Sequence, residues 1–219
     1  MLHLRGKFIV FDGNEGCGKS TQAQMAKAEI ERAGVQTLLV RDPGTTRIGE
    51  MVREILLDPK NTDMSSRCEM LLFMAARAQM MKEMIVPALN DGLAVISDRF
   101  ISSTLAYQLG GEGLTEKEIL EVGKAAAHSR WPDLTIIFDL PVSVSSARAR
   151  PKFTLFPDDP NAGTEKDRIE RRSMEYHEIV RENYVRQAKN HRLKYRIVDA
   201  NREVDQVHAD VMRLLAAVK

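Results

Sequence analysis

The sequence has few cysteines, almost no net charge and no long apolar run. Its 219 residues include only Cys17 and Cys68, which are too few for a disulfide framework and indicate a reducing cytoplasm. The 32 basic and 31 acidic residues leave a net charge of +1, so we expect no bulk attraction to nucleic acid or to a membrane surface. No apolar run is long enough for a membrane span, and residues 1–6 lack the apolar core of a signal peptide. We therefore expect a cytoplasmic protein that binds its ligands at a local site.

A glycine-rich segment follows the first apolar run and precedes a helix-like stretch. Residues 13–20 fit the phosphate-loop pattern G-x-x-x-x-G-K-[S/T]. Such a loop wraps a polyphosphate with its backbone N–H groups, while the positive end of the next helix points at the same anion. Lys19 would reach the β- and γ-phosphates, and the Ser20 hydroxyl would hold Mg²⁺. A chance glycine-rich turn is the alternative, but the flanking strand and helix favour a nucleoside triphosphate site. The residues expected at the ATP phosphates are Gly13, Asn14, Glu15, Gly16, Cys17, Gly18, Lys19, Ser20 and Thr21.

Short β-branched runs alternate with longer amphipathic stretches along the chain. Strands are predicted at residues 7–11, 37–40, 93–97, 134–140 and 195–198. Helices are predicted at residues 19–33, 49–57, 66–89, 115–127, 142–150, 167–189 and 204–218. Ser66 with Glu69, and Thr115 with Glu118, have capping-box spacing, and Gly34 marks the end of the first helix. The alternation predicts a single α/β domain of the P-loop NTPase type over residues 1–219. We expect three α/β/α layers around a five-stranded, mostly parallel sheet, with ligands at the carboxyl ends of the strands.

The third predicted strand ends in an acid followed by an arginine, Asp98 and Arg99. An acid at this place in a nucleotide enzyme holds Mg²⁺ beside the phosphate-loop hydroxyl, so Ser20 and Asp98 are the predicted metal residues. An ordinary turn or helix-cap role for Asp98 is the alternative. The planar fork of Arg99 suits a second anion.

Several segments in chain order carry a family resemblance. They are RDPGTT at residues 41–46, LLFMAARAQ at 71–79, DRFISSTLAYQ at 98–108, WPDLT at 131–135, DRIE at 167–170 and VDA at 198–200. Each is weak by itself, but in this order around a phosphate loop the sequence resembles the thymidylate kinase family almost end to end. The resemblance implies transfer of the γ-phosphoryl group of ATP to dTMP with Mg²⁺, giving dTDP and ADP, a step of dTTP synthesis.

The resemblance also implies roles for individual acceptor-site residues. Phe73 would stack on the thymine ring, and Arg77 would reach the base edge or the acceptor phosphate. Arg99 would bind the dTMP phosphate. The other implied acceptor residues are Glu15 at the 3′-hydroxyl, Thr104 at the base, Tyr107 against the sugar where it disfavours ribose, and Asp42 and Ser103.

Each of these residues also has an ordinary structural interpretation. Phe73 lies among apolar helix residues and could belong to the core. An arginine such as Arg77 is more often solvated on a helix surface, and Tyr107 could be a packing aromatic. The methionines at positions 70, 74, 80, 81 and 84 suit a core or a helical dimer interface.

Residues 151–166 are predicted to form a lid. Prolines and a glycine keep this segment from being helical, and basic residues flank it. Some thymidylate kinases carry an arginine in the phosphate loop and others place basic residues in the lid; Gly16 at the matching position implies the second type. The implied catalytic cations are Lys19, Arg99, Arg150, Lys152 and Lys166. A merely solvated loop is the alternative for the segment.

Three positions stand out within these motifs. Thr45 occupies a position where the family usually has glycine, and Asp12 replaces the usual glutamate before Gly13. Cys17 lies at a helix N-terminus beside Lys19, which lowers a thiol pKa, so we expect alkylation of Cys17 to inactivate the enzyme and ATP to protect it. An inert small residue at position 17 is the alternative.

Two other functions stay open at this point. One is a P-loop kinase for another nucleoside monophosphate or for a deoxynucleoside, and the other is a nucleotide-dependent switch. The basic residues around the lid favour transfer to an anionic acceptor over a switch. The expected partners are ATP, dTMP and a second copy of the chain in a homodimer formed through helices, with no nucleic acid and no membrane.

Overall fold

The computed structural model describes residues 1–148, 167–190 and 194–219. Within these ranges five strands form one sheet in the order β2-β3-β1-β4-β5, and every neighbouring pair is parallel. The predicted fold class is confirmed, and the sheet is parallel throughout. The strands are β1 Phe8–Gly13, β2 Thr37–Arg41, β3 Ala94–Asp98, β4 Leu134–Asp139 and β5 Tyr195–Asp199.

The central strand β1 is apolar on both faces because helices cover both sides of the sheet. Phe8 and Val10 join one buried cluster, and Ile9 and Phe11 join the other. Successive side chains of a strand point to opposite faces, so a doubly covered strand has a continuous apolar run instead of an alternating pattern. Because the strands are parallel, their carboxyl ends lie at one edge of the sheet, where Gly13, Asp98 and Asp139 end β1, β3 and β4.

Two layers of helices flank the sheet. Helices α1 and α9 pack on the Ile9 and Phe11 face, while α3, α5, α6 and α8 contribute to the buried clusters on the opposite face. The helices are α1 Lys19–Arg32, α2 Arg47–Leu57, α3 Ser66–Met80, α4 Val86–Asn90, α5 Ile101–Tyr107, α6 Glu116–Ala126, α7 Val142–Arg148, α8 Met174–Asn190 and α9 Val204–Ala216. Short 3₁₀ turns lie at Leu2–Leu4 and Gly111–Gly113. Gly34 ends the first helix with φ 83°, as predicted.

The predicted helix over residues 66–89 is interrupted. The chain passes from α3 through a π turn at Met81–Ile85 into α4, where Pro87 lies in the first turn. Proline has no N–H donor and its ring crowds the carbonyl four residues earlier, so the preceding turn widens. The short helix α5 has no counterpart among the predicted helices.

One predicted capping box and one predicted helix start are wrong, and the other capping box is confirmed. The N-cap of α3 is Ser65, whose side chain accepts a bond from the Cys68 N–H, so Ser66 and Glu69 do not form a capping box. Thr115 and Glu118 form both hydrogen bonds of a capping box. Residues 167–173 are a turn instead of helix, because the Asp167 carboxylate accepts the N–H groups of the next residues and competes with helical bonding.

No helix in the described ranges is both long and apolar enough to cross a membrane. The predicted lid and the candidate cations Arg150, Lys152 and Lys166 lie outside the described residues.

Candidate active site

The phosphate loop connects the end of β1 to the start of α1. At Gly13, φ is 142° and an added Cβ would lie 2.6 Å from the Phe138 carbonyl oxygen, so only glycine fits. Lys19 is buried, and its Nζ donates to the carbonyl oxygens of Gly13 at 3.2 Å and Asn14 at 2.8 Å. The loop therefore holds a cation beside the N-terminus of a 14-residue helix, which is an arrangement suited to phosphate.

The two predicted metal residues are adjacent. Ser20 Oγ donates to Asp98 Oδ2 at 2.7 Å, and Asp98 is 7% exposed. Mg²⁺ takes oxygen ligands and is usually held by one or two protein groups together with substrate phosphates and water. A hydroxyl and a carboxylate oxygen beside the phosphate loop fit this chemistry.

A cleft of about 590 Å³, including its open mouth, lies next to the phosphate loop. All eight residues predicted for dTMP line it; their roles toward dTMP stay predictions. These residues are Glu15, Asp42, Phe73, Arg77, Arg99, Ser103, Thr104 and Tyr107. The lining also includes residues that the sequence analysis did not select, namely Pro43, Arg53, Leu57, Gln108, Asp167, Ile169, Glu170 and His177.

Arg99 lies between the phosphate loop and the cleft. Its backbone has φ 73°, and its guanidinium donates to the Gly13 carbonyl at 3.1 Å and forms an ion pair with Glu15. The same guanidinium donates to Ser103 Oγ at 3.1 Å and to the Tyr107 hydroxyl at 3.4 Å. Nearby acidic and phenolic groups raise the pKa of Arg99 further, although burial opposes them. Arg99 therefore presents a permanent positive charge at the junction.

Arg77 is held inside the cleft wall instead of on a helix surface. It is 1% exposed, and its Nε donates to Asp42 Oδ2 at 2.5 Å. Its other nitrogens donate to the Phe100 carbonyl at 3.2 Å and to Thr104 Oγ1 at 3.3 Å. Burial raises the pKa of the Asp42 carboxyl, and Arg77 opposes that shift. The pair fixes the guanidinium before any ligand binds.

The two aromatic residues predicted at the acceptor differ in their surroundings. Phe73 is half-buried, lines the cleft and belongs to none of the buried core clusters among the described residues. Tyr107 has its ring 5.3 Å from the Arg99 guanidinium. Burial raises the pKa of Tyr107, so its hydroxyl stays protonated as a hydrogen-bond donor near neutral pH.

The two departures from the family pattern have local compensation. The shorter Asp12 is fully buried and accepts bonds from Ser102 Oγ at 2.6 Å, Ser103 Oγ at 2.7 Å and the Tyr184 hydroxyl at 2.6 Å. Thr45 adopts φ 70°, a conformation that glycine enters more easily. Its hydroxyl accepts the Arg41 N–H at 2.8 Å and donates to the Arg41 carbonyl at 3.0 Å.

The expected lowering of the Cys17 pKa is wrong. The residue is 3% exposed, and burial raises the pKa of its thiol more than Lys19 and Arg99 lower it. Both observations favour the inert interpretation of Cys17 over alkylation.

Five of the missed lining residues lie within the segments that carry the family resemblance, although no site role was predicted for them: Pro43, Gln108, Asp167, Ile169 and Glu170. Arg53, Leu57 and His177 lie outside those segments. Arg53 on α2 donates to the Pro43 carbonyl at 3.2 Å, which brings it to the loop after β2. Gln108 follows α5, and Asp167, Ile169 and Glu170 belong to the turn before α8. An arginine on the helix after the RDPGTT segment is the one signal that could have indicated Arg53.

Comparison with known proteins gives consistent matches over the whole chain. The family model described as thymidylate kinase matches residues 11–211. The thymidylate kinase of Ectopseudomonas mendocina is 39% identical over 215 residues, covering 98% of this chain and 97% of the relative. That of Pseudomonas syringae pv. tomato is 40% identical over 212 residues, covering 97% and 96%. The crystal structure of thymidylate kinase from Ehrlichia chaffeensis matches with a TM-score of 0.74 and 27% identity, covering 96% of this chain and 98% of that one.

Proposed function

This chain belongs to the thymidylate kinase family, and we propose that its phosphate loop and cleft carry out the family's reaction with the residues described above. The protein is an ATP-dependent kinase that phosphorylates dTMP. The position of Arg99 is the observation that carries the assignment of residues. Its guanidinium contacts Gly13 and Glu15 on the donor side, and Ser103 and Tyr107 on the acceptor side. A cation at this junction can bind the acceptor phosphate while it faces the transferring group.

The reaction needs positioning and charge neutralisation more than proton transfer. An oxygen of the dTMP phosphate forms a bond to the γ-phosphorus of ATP, and the bond from that phosphorus to the β–γ bridging oxygen breaks, releasing ADP. Lys19 and the loop N–H groups hold the donor phosphates, and Arg99 orients the acceptor phosphate. Bound Mg²⁺, held by Ser20 and Asp98, would offset negative charge on the phosphates.

The cleft also supports a binding mode for the nucleoside. Phe73 offers a ring face for thymine, and Arg77 and Thr104, 3.3 Å apart, offer polar atoms for the base edge. Arg53 lines the cleft together with Arg77 and Arg99, so we include it in the acceptor site. The charges supplied by Arg150, Lys152 and Lys166 remain a prediction from the sequence.

A coupled assay with ATP and a panel of nucleotides tests the function. We expect dTMP to exceed dUMP by roughly 10- to 200-fold in kcat/KM, since a methyl group in an apolar pocket contributes about 1–3 kcal/mol. UMP should be rejected through Tyr107. Equal use of UMP and dTMP would instead favour the broader monophosphate kinase. Activity should disappear with EDTA and return with Mg²⁺.

A homodimer is proposed from an exposed apolar surface. Ile48, Met51 and Ile55 share one face of α2 and are 40–53% exposed, and Leu71 on the neighbouring α3 is 49% exposed. Such a stripe at helical spacing suits a helix-packed interface. Light scattering should give twice the chain mass, and Met51→Glu should give the monomer; a monomeric wild-type protein would contradict the proposal.

We also place the protein in the cytoplasm. Its nucleotide substrates and its two unpaired cysteines support that location. Cell fractionation tests it.

A further inference from the structure

Glu69 is a buried carboxylate on α3, outside the set of residues predicted at the phosphates or at dTMP. It is 1% exposed, and it lies on α3 at positions i, i+4 and i+8 with Phe73 and Arg77. These spacings bring all three residues to one face of the helix. The helical face that carries two predicted dTMP residues therefore also carries a carboxylate, one turn before Phe73.

Three side chains donate to the Glu69 carboxylate. Arg168 Nη2 and Arg172 Nη2 both donate to Oε2, the second at 2.7 Å, and Gln108 Nε2 donates to Oε1 at 2.7 Å. Arg168 and Arg172 belong to the segment before α8, and Gln108 follows α5. One carboxylate thus joins α3 to two other parts of the chain.

The turn at residues 167–173 and the first residues of α8 make further contacts with the cleft walls. The Arg168 N–H donates to the Leu57 carbonyl at 3.2 Å, and its Nε donates to the Leu56 carbonyl at 2.9 Å. The Tyr176 hydroxyl donates to the Tyr107 carbonyl at 2.7 Å. The segments joined in this way contribute Leu57, Tyr107, Gln108, Asp167, Ile169 and Glu170 to the lining of the cleft.

The energetics of the charged cluster around Glu69 favour a role in positioning the turn over a role in stabilising the fold. Moving a carboxylate and guanidinium groups out of water costs several kcal/mol per ion, and their attraction repays this only when every donor is well placed. An apolar cluster of the same size would stabilise the fold as well or better. Removing the single anion leaves the guanidinium groups of Arg168 and Arg172 without their carboxylate, so the turn loses its attachment to α3 while the bonds of Arg168 to Leu56 and Leu57 remain.

We propose that Glu69 is a positioning residue for the acceptor, acting through Arg168 and Arg172 to hold residues 167–173 as a wall of the dTMP cleft. This inference rests on the proposed function of the cleft. Glu69 bonds to the wall and is not among the residues that line the cleft, so its loss should affect the binding of dTMP and leave the binding of ATP unchanged.

The test is Glu69→Gln, which keeps the side-chain volume and removes the charge. We expect the KM for dTMP and the Kd from calorimetry with dTMP alone to rise by about 10-fold or more, the scale of one lost buried charge-assisted bond. The KM for ATP should stay within about twofold, below the energy of such a bond. Hydrogen exchange should become faster in the peptide over residues 167–173.

Two controls separate this effect from general damage. Arg67→Gln lies on the same helix and breaks the exposed pair of Arg67 with Glu118, and it should change neither KM. Val211→Ala removes buried volume on α9, far from the cleft, and lowers stability without a selective change in the KM for dTMP. Each variant is assayed well below its own unfolding temperature.

A second variant tests the proposal in case Glu69→Gln folds poorly. Arg172→Gln removes a partner that is 27% exposed, and it should raise the KM for dTMP by about threefold, the lower range for one ordinary hydrogen bond, because solvent weakens this partly exposed pair. In the double variant the two effects should be less than additive, because the two variants share the contact between Glu69 and Arg172.

Several results would overturn the proposal: an unchanged KM for dTMP in either folded variant, equal changes in both KM values, or additive effects. If the wild-type enzyme uses another acceptor from the panel, the proposed function fails. The KM comparison with that acceptor then still decides the role of Glu69.

Discussion

Thr45 offers a direct test of how this chain tolerates a side chain where its family usually has glycine. The residue has φ 70°, and branched side chains rarely adopt this conformation. Its hydroxyl makes two bonds with the backbone of Arg41, and its own N–H donates to Glu50 Oε1 at 2.6 Å. We predict that these bonds offset the strain of the backbone.

The magnitudes follow from these contacts. Positive φ at a non-glycine residue costs about 1–3 kcal/mol. Two hydroxyl bonds at about 0.5–1.5 kcal/mol each contribute roughly 1–3 kcal/mol. Thr45→Val keeps the strain and loses both bonds, so the free energy of unfolding should fall by about 1–3 kcal/mol, or by roughly 2–12 °C in Tm for a chain of this length. Thr45→Gly loses both the strain and the bonds, and its net change should be near zero.

Thermal and urea unfolding of the series measure this balance. Thr45→Ser keeps the hydroxyl without the branch and should be close to wild type. A valine variant as stable as wild type would show that the hydroxyl bonds contribute nothing. A glycine variant as unstable as valine would show that the backbone carries no strain.

The remaining predictions concern the donor site, the acceptor arginine, its support and the thiols. Lys19→Ala should lose nearly all turnover while circular dichroism reports an intact fold; near-normal turnover would contradict the phosphate-loop assignment. Arg99→Lys should raise the KM for dTMP strongly, because a point charge cannot replace a planar fork, whereas a change confined to ATP would move Arg99 to the donor side. Tyr184→Phe removes the hydroxyl that bonds Asp12 and accepts from Arg99 at 3.1 Å, so the KM for dTMP should rise about 3- to 10-fold, as expected for one lost hydrogen bond. Because burial raises the pKa of the Cys17 thiol, iodoacetamide at pH 8 should modify exposed Cys68 alone and leave activity unchanged, and inactivation that ATP prevents would contradict this.

Much of the fold could be predicted from local sequence patterns. The five strands are short apolar runs between turn residues, and their covered faces make the pattern continuous, as in residues 8–11. The errors arise where side chains compete with helical bonding. Asp167 accepts backbone N–H groups and delays the start of α8, and Pro87 follows a π turn that periodicity does not reveal.

The cleft was predictable to the extent that motifs mark it. Residues 41–46 and 98–108 follow strands whose carboxyl ends meet at one edge, so their side chains converge. The contacts of Glu69 with Arg168 and Arg172 span 99 and 103 residues, and no local pattern indicates such pairs. The sequence shows the positive charges near Cys17, which lower its pKa, but it does not show the burial, which raises the pKa more.

Helix α3 contributes both to the cleft and to the surface proposed for self-association. Phe73 and Arg77 line the cleft, while Leu71 lies on the exposed surface proposed for self-association. If binding of dTMP or of a second chain moves this helix, the two binding equilibria are thermodynamically linked, and the linkage is reciprocal. Whatever factor dTMP applies to the dissociation constant of the dimer, dimer formation applies the same factor to the dissociation constant of dTMP. The nucleotide affinity of this enzyme would then depend on its own concentration.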